Sequence, residues 1–295
     1  MSQRKGKTFT TSCKALCAAL GIAFAGQAVA EVPASCPSSL RFADTGIEGM
    51  EEMVRTYGPF QEKLSGILGI DVRFFPVSDR TAAVNALQFD QVDIILAGPS
   101  EYAVMRARQD VKMMIGIERV EYGTAFVVHA DSDIHSLTDL RGKRIAMKDP
   151  GSTTGHIIPT LMLHEAGLNP DRDLRVMLLD GARFDAMINR DVDAMGSGVR
   201  DVGRLQQRHP DGEYRVIAES DSMPRDIFVA RGGLSDACVS YVGERMMAHG
   251  DALMDAMLGP GERKKYVGSR FVNDLTEEEY DRITEAYALV GMPLN

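Results

Sequence analysis

The densest run of reactive side chains is Asp149-Pro150-Gly151-Ser152-Thr153-Thr154-Gly155. A short apolar strand ends just before it. A Pro-Gly turn follows, and three hydroxyls and a glycine then stand where an amphipathic segment, Thr153–Ala166, begins. The opening N–H groups of a helix have no partner within it, and the aligned peptide dipoles add partial positive charge at the same end. With Ser152, Thr153 and Thr154 able to donate O–H bonds to one point, the arrangement suits a tetrahedral or pyramidal oxyanion. The same residues also read as an ordinary Ser/Thr helix cap. His156, directly after, is placed either to touch such a ligand or to face solvent from the capping region.

Other chemistries find little footing. The histidines, His129, His135, His156, His164, His209 and His249, form no HExxH or Cys/His metal spacing. There is no G-x-S-x-G elbow, and no P-loop lysine follows the hydroxyl run. The sequence therefore carries no expectation of an enzyme, a metal or a cofactor.

The residues before Glu31 read as a leader rather than as part of the fold. Arg4, Lys5, Lys7 and Lys14 give a basic start, Ala15–Ala25 is apolar but too short to span a bilayer, and Ala28-Val29-Ala30 supplies a small-x-small cleavage site. Cleavage after residue 30 predicts a periplasmic product beginning at Glu31. Its loss removes four positive charges and no acid, so the mature chain is more acidic than the full-length net charge of −9. An acidic chain with no long apolar run argues against nucleic acid and against membrane insertion. A small anion is held by local dipoles at short range and is not excluded. Of the two cysteines left, Cys36 and Cys238, the sequence allows either one disulfide or two thiols.

The elements that must position these residues follow an α/β alternation. Strands are predicted at Leu40–Asp44, Val72–Val77, Asp93–Ala97, Met113–Ile117, Thr124–His129, Arg144–Met147, Leu174–Leu179, Ala194–Gly196, Arg215–Ala218 and Ile227–Ala230. Helices are predicted at Glu51–Leu68, from the Ser78-Asp79 cap to Leu87, from Ser100, at Thr153–Ala166, Arg183–Asn189 and Val199–Arg208, and between Val239 and Leu258. The last, Glu277–Ala288, starts from a capping box of Thr276 and Glu279. No repeat, low-complexity tract or Gly/Ser linker divides the chain, which fits two lobes joined by crossing strands.

The segment Ser136-Leu137-Thr138-Asp139-Leu140-Arg141-Gly142-Lys143, followed by Asp149-Pro150-Gly151-Ser152-Thr153-Thr154-Gly155 and Pro159, resembles the periplasmic phosphate/phosphite/phosphonate-binding proteins of ABC importers. In that family an SLxDLxGK element precedes a DPxST anion loop. The likeness extends through Tyr57-Gly58-Pro59-Phe60, Val92-Asp93-Ile94, Gly98-Pro99 with Tyr102, Val192-Asp193-Ala194 and Ser222-Met223-Pro224-Arg225-Asp226, covering nearly all of the mature chain. The resemblance implies a periplasmic-binding-protein fold, two α/β lobes joined by two crossover strands with a ligand cleft between. Lobe one is expected at residues 37–127 plus 224–295 and lobe two at residues 128–223. The segment from Thr45 and the one from Ala97 would then face the cleft from carboxyl ends of strands, opposite Ser152. Asp226 matches a carboxylate the family places near its phosphonate group, which is sensible where one partner supplies a proton.

Two positions depart from the pattern. Relatives carry a histidine in a Gly-x-His-Glu-like turn before the helix that precedes Val192-Asp193-Ala194, where this chain has Gly181-Ala182-Arg183-Phe184-Asp185. Seven residues past Asp193, aminophosphonate binders place a carboxylate for the ligand's ammonium, and here stands Arg200. An arginine repels an ammonium and suits an oxyanion, so the resemblance implies a small inorganic or simple phosphonate ligand, with Arg183 and Arg200 in the cleft. The expected role is that of a monomeric solute-binding protein delivering a small oxyanion to an inner-membrane permease. The alternatives are an oxyanion sensor, of the arsenite type for example, signalling to a membrane histidine kinase, and, less favoured, an enzyme on the same two-lobed fold.

Overall fold

Ile94–Ala97 is apolar and buried along its whole length, as a strand covered on both faces must be, and Ser39–Asp44 buries Leu40 and Phe42 on one face and Ala43 on the other. The computed structural model describes residues 31–46, 49–258, 264–289 and 294, so the expected leader lies outside the described residues. From the N-terminal side come β1 (Ser39–Asp44), α1 (Met50–Leu68), β2 (Asp71–Phe74), α2 (Arg80–Gln88), β3 (Ile94–Ala97), α3 (Pro99–Arg108) and β4 (Val111–Glu118). The chain crosses over at residues 119–123. It then builds β5 (Thr124–His129), β6 (Arg144–Met147), α4 (Ile158–Glu165), α5 (Pro170–Asp173), β7 (Arg175–Leu178), α6 (Arg183–Ile188), β8 (Ala194–Gly198), α7 (Val199–Arg208) and β9 (Tyr214–Glu219). It recrosses at residues 220–225 and returns as β10 (Asp226–Arg231), α8 (Asp236–Ala248), α9 (Gly250–Leu258), β11 (Arg270–Val272) and α10 (Asp281–Leu289).

Two sheets result, ordered β11-β4-β10-β3-β1-β2 and β7-β6-β8-β5-β9. In the first, β1 runs parallel to β2 and β3, while the returning β10 inserts antiparallel between β3 and β4. In the second, β6 is parallel to β7 and β8, and β5 is antiparallel to β8 and β9. Strand alternation sorts the first sheet's core. Phe42, Ile94 and Phe228 turn toward Tyr57 and Phe60 of α1, and Ala43, Ile95 and Val229 toward Ala83 and Leu87 of α2. The second sheet divides likewise, with Phe126 and Ile145 on one side and Val127 and Ala146 on the other. A further cluster joins Ala103 of α3, Ile158 and Leu161 of α4, and Ile283, Ala286 and Tyr287 of α10. The C-terminal helix, expected with lobe one alone, thus packs on elements that follow both sheets.

Several expectations shift. The predicted lobe boundary after residue 127 falls inside β5, because residues 124–127 already pair with β8 in the second sheet. The strand predicted to Val77 stops at Phe74, and the helical stretch from Val239 to Leu258 is interrupted at His249. The Thr276–Glu279 capping box forms, but it opens a 3-10 turn, Glu277–Tyr280, ahead of α10. Cys36 and Cys238 are joined as a disulfide with Cα atoms 5.1 Å apart, tying the segment before β1 to α8.

Candidate functional site

Three helix starts converge on one enclosed space. Beyond the carboxyl ends of β3, β6 and β8, the N-cap positions of α3, of the turn leading into α4, and of α7 are Gly98, Ser152 and Gly198. None makes a side-chain cap hydrogen bond, and all three line a cavity of about 190 Å³. Each helix start brings partial positive charge, about half a unit, together with N–H groups that have no intrahelical acceptor. Ser152, on the wall of this cavity, makes no side-chain cap bond, so the ordinary-cap reading does not describe it.

The loop is held in shape by its own backbone. Gly151 sits at φ 81°, in the left-handed region that favours glycine after Pro150. The N–H groups of His156 and Ile157 both donate to Ser152 O at 2.9 Å, so the helix opens with a π-type turn, Thr153–Ile157. Lys148 N–H donates to Gly155 O at 2.9 Å, and a Cβ at Gly155 would lie 2.4 Å from Lys148 Cβ, so only glycine permits the approach. Thr124 Oγ1 donates to Thr154 O at 2.9 Å. From the other side of the cleft, Ser100 N–H donates to Thr153 Oγ1 at 3.1 Å and Ser100 Oγ donates to Gly151 O at 2.6 Å.

The cavity wall is strongly charged. Among the described residues it carries Arg80, Arg119, Lys148, Arg183, Arg200, Arg204 and Lys265 against Glu101, Glu121, Asp201 and Asp226, an excess of three basic side chains. In a chain of net charge −9 this is a local concentration of positive potential. Arg80 bridges the two sides, donating to Asp149 at 2.5 Å and to Glu101. Asp226 is 2 % exposed and accepts from Tyr266 Oη at 2.8 Å, with Arg119 at 3.4 Å and Lys265 at 3.7 Å. Burial alone would raise its carboxyl, but the charges of Arg119 and Lys265 and the bond from Tyr266 hold it below the usual carboxylate range. The tyrosines beside it, Tyr122 and Tyr266, are pushed up by burial and then by the Asp226 charge, so they stay protonated donors.

Of the residues singled out by sequence, Thr45, Ser152, Thr153, Thr154, Arg183, Arg200 and Asp226 line this cavity. Ala97 does not. It turns into the core of the first sheet, and its neighbour Gly98 takes the wall. His156 does not line it either, and its Nδ1 accepts from Gly151 N–H at 3.1 Å. Burial lowers its pKa below the ordinary imidazole value, consistent with a neutral acceptor that braces the loop. Arg183 reaches the wall but spends its donors locally, on Asp201 at 2.7 Å, Ser197 at 3.0 Å and the Asp180 carbonyl. Arg200 reaches across the cleft to the carbonyls of Lys265 at 3.0 Å and Val267 at 3.1 Å.

Sequence reasoning missed Arg80, Glu101, Arg119, Lys148, Asp201, Arg204 and Lys265. Lys148 adjoins the loop motif and was in reach of inspection. Arg119 and Tyr122 lie in the first crossing, where no local pattern marks a residue as facing a ligand. No cluster of His, Cys, Asp and Glu among the described residues is arranged to hold a metal.

Comparison with known proteins bears on the family and the fold. A protein family described as "ABC transporter, phosphonate, periplasmic substrate-binding protein" matches residues 46–267. The phosphate-import protein PhnD of Mycolicibacterium smegmatis is 26% identical over 285 residues, covering 82% of this chain and 87% of that one. The structure of PhnD1 from Prochlorococcus marinus in complex with methylphosphonate superposes with TM-score 0.69 at 16% identity, over 88% of this chain and 100% of that one. A binding-protein component of a phosphonate ABC transporter from Pseudomonas aeruginosa gives TM-score 0.62 at 19% identity, over 86% and 95%. The two-sheet α/β architecture is therefore that of a periplasmic binding protein, and the chain belongs to the family of periplasmic substrate-binding proteins of phosphonate ABC transporters.

Proposed function

We propose that the mature chain captures one phosphorus oxyanion, phosphite or a simple phosphonate, between the two sheet-bearing lobes and presents it to the inner-membrane permease of an ABC importer. The observation that carries this reading is the convergence of three helix starts on a small cavity whose wall has excess positive charge. A tetrahedral head would take the Ser152 hydroxyl and the N–H groups of Thr154 and Gly155, with Thr153 joining it to Ser100 across the cleft. Export to the periplasm rests on the leader pattern in residues 1–30, and the protein acts as a monomer. A cavity of about 190 Å³ is small beside the roughly 300–1,000 Å³ of drug-sized ligand sites. Sensing of a thiophilic oxyanion finds less support, because Cys36 and Cys238 are bonded to each other and neither lines the cavity.

Calorimetry on the mature protein with phosphite, phosphate, methylphosphonate and sulfate tests this. Saturable one-to-one binding of a phosphorus oxyanion is expected, and Ser152→Ala with Thr153→Ala should weaken it by on the order of a hundredfold or more through loss of two charge-assisted hydrogen bonds. Absence of any phosphorus-oxyanion heat in the wild type, or an unchanged affinity in the double variant, would overturn the proposal.

A further inference from the structure

The enclosed cavity does not end at the oxyanion position. It continues into an outer groove of about 810 Å³, and Glu121, Tyr122, Gly123, Val199, Arg200 and Arg204 belong to both walls. An inorganic oxyanion would occupy the inner space alone and leave this passage to water.

The shared wall carries two guanidinium groups, Arg200 and Arg204, against one carboxylate, Glu121, and Arg119 adds a third guanidinium on the inner side. Arg119 stacks on the Tyr122 ring with its guanidinium carbon 3.6 Å from the centroid, and its side chain is 14% exposed. Its ionic contacts to Asp226 are long, 3.4 and 3.5 Å, and its Nε is buried with no hydrogen-bond partner. A buried donor left unmet costs about 1–3 kcal/mol, so a site that keeps one is shaped for an acceptor that arrives from outside. Arg200 lies close enough that the Arg119 charge, after burial, helps to depress its pKa. Like charges gathered in a partly enclosed space are stabilised by an anion placed among them.

Resting on the oxyanion reading above, we infer that the preferred ligand is a phosphonate whose short carbon chain ends in a second acid group, a phosphonocarboxylate. The phosphonate head occupies the helix starts at Ser152–Gly155. The carbon chain passes Tyr122 and Gly123, and the carboxylate is met by Arg119 on the inner wall and by Arg204, which also donates to Asp201 at 3.0 Å, at the junction. A charged amine in the same place would meet Arg119, Arg200 and Arg204 against the single carboxylate of Glu121, a net repulsion.

Calorimetry with methylphosphonate, phosphonoacetate, 3-phosphonopropionate and 2-aminoethylphosphonate tests the inference. At least one phosphonocarboxylate is expected to bind about tenfold or more tighter than methylphosphonate, and 2-aminoethylphosphonate to bind most weakly. The ratio of phosphonocarboxylate to methylphosphonate affinity should fall toward one in Arg204→Gln and in Arg119→Lys. The second variant keeps a positive charge beside Asp226, so it guards against a simple folding defect. Tight methylphosphonate binding with no gain from the carboxylate, or a ratio that neither variant moves, overturns the inference while leaving the oxyanion reading intact. Failure of every phosphorus compound to bind would instead remove both.

Discussion

Asp226 shows how single residues divide the work of the cleft. It is an acid in a site for anions, and its charge is consumed by Arg119, Lys265 and Tyr266 rather than turned on the ligand. Its carboxyl titrates below the ordinary value, so the stability it contributes is present above the unfolded carboxylate pKa of about 4 and is lost as pH falls through the lower, folded value. Asp226→Asn is expected to lower stability at neutral pH by roughly 3–5 kcal/mol, because it leaves the largely buried Arg119 without its carboxylate. The same change should flatten the acid limb of the stability profile below about pH 4. Denaturant unfolding across pH reads both, and an acid limb identical to wild type would show that Asp226 is not held ionised by these partners. At this scale the sequence was informative only where chemistry is local. Ser152 and its neighbours are contiguous and announce themselves, whereas the Arg119–Asp226–Tyr266 group draws on three distant segments that only the fold brings together.

At the level of elements, the two halves are fastened by polar contacts around the anion loop. Arg80, at the start of α2, holds Asp149 beyond β6, Ser100 of α3 holds Gly151 and Thr153, and Arg200 of α7 holds the carbonyls after α9. These contacts span the cleft, so each would favour a closed form over an open one. Arg80→Met removes one and leaves Glu101, 3% exposed, without its guanidinium. The unliganded variant is expected to have a larger radius of gyration by small-angle scattering, and an affinity several-fold weaker because less of the population is binding-competent. An unchanged radius together with unchanged affinity would show that Arg80 does not fasten the cleft. Strands and helices themselves were readable from periodicity, since apolar runs and caps are properties of neighbouring residues. Their ends were less so. The break at His249 and the early end of β2 at Phe74 depend on what each segment packs against. The residues that fasten the halves carry no local mark, because an arginine at a helix start looks the same whether it meets water or Asp149.

Over the whole molecule, sequence-distant pieces close the structure. The Cys36–Cys238 bridge spans 202 residues and fixes the chain's entry into the first sheet, as suits an oxidising compartment. The α3–α4–α10 cluster lays an apolar seam behind the anion loop, with Tyr287 4% exposed. The acidic chain keeps its basic excess in one place, between the sheets, where partial exclusion of water strengthens its effect on an anion. The two-lobed plan was readable because the α/β alternation and the loop motif agree, while the crossing came earlier than residue 127 because β5 pairs with β8 over its whole first half. The central claim is that the tetrahedral head rests on the helix start at Ser152–Gly155. A crystal structure of the mature protein grown with saturating methylphosphonate measures this directly. The phosphorus is expected within the cavity, its oxygens in hydrogen-bond reach of Ser152 Oγ and of the Thr154 and Gly155 N–H groups. A phosphonate bound elsewhere, or a cleft without one at saturation, would contradict it.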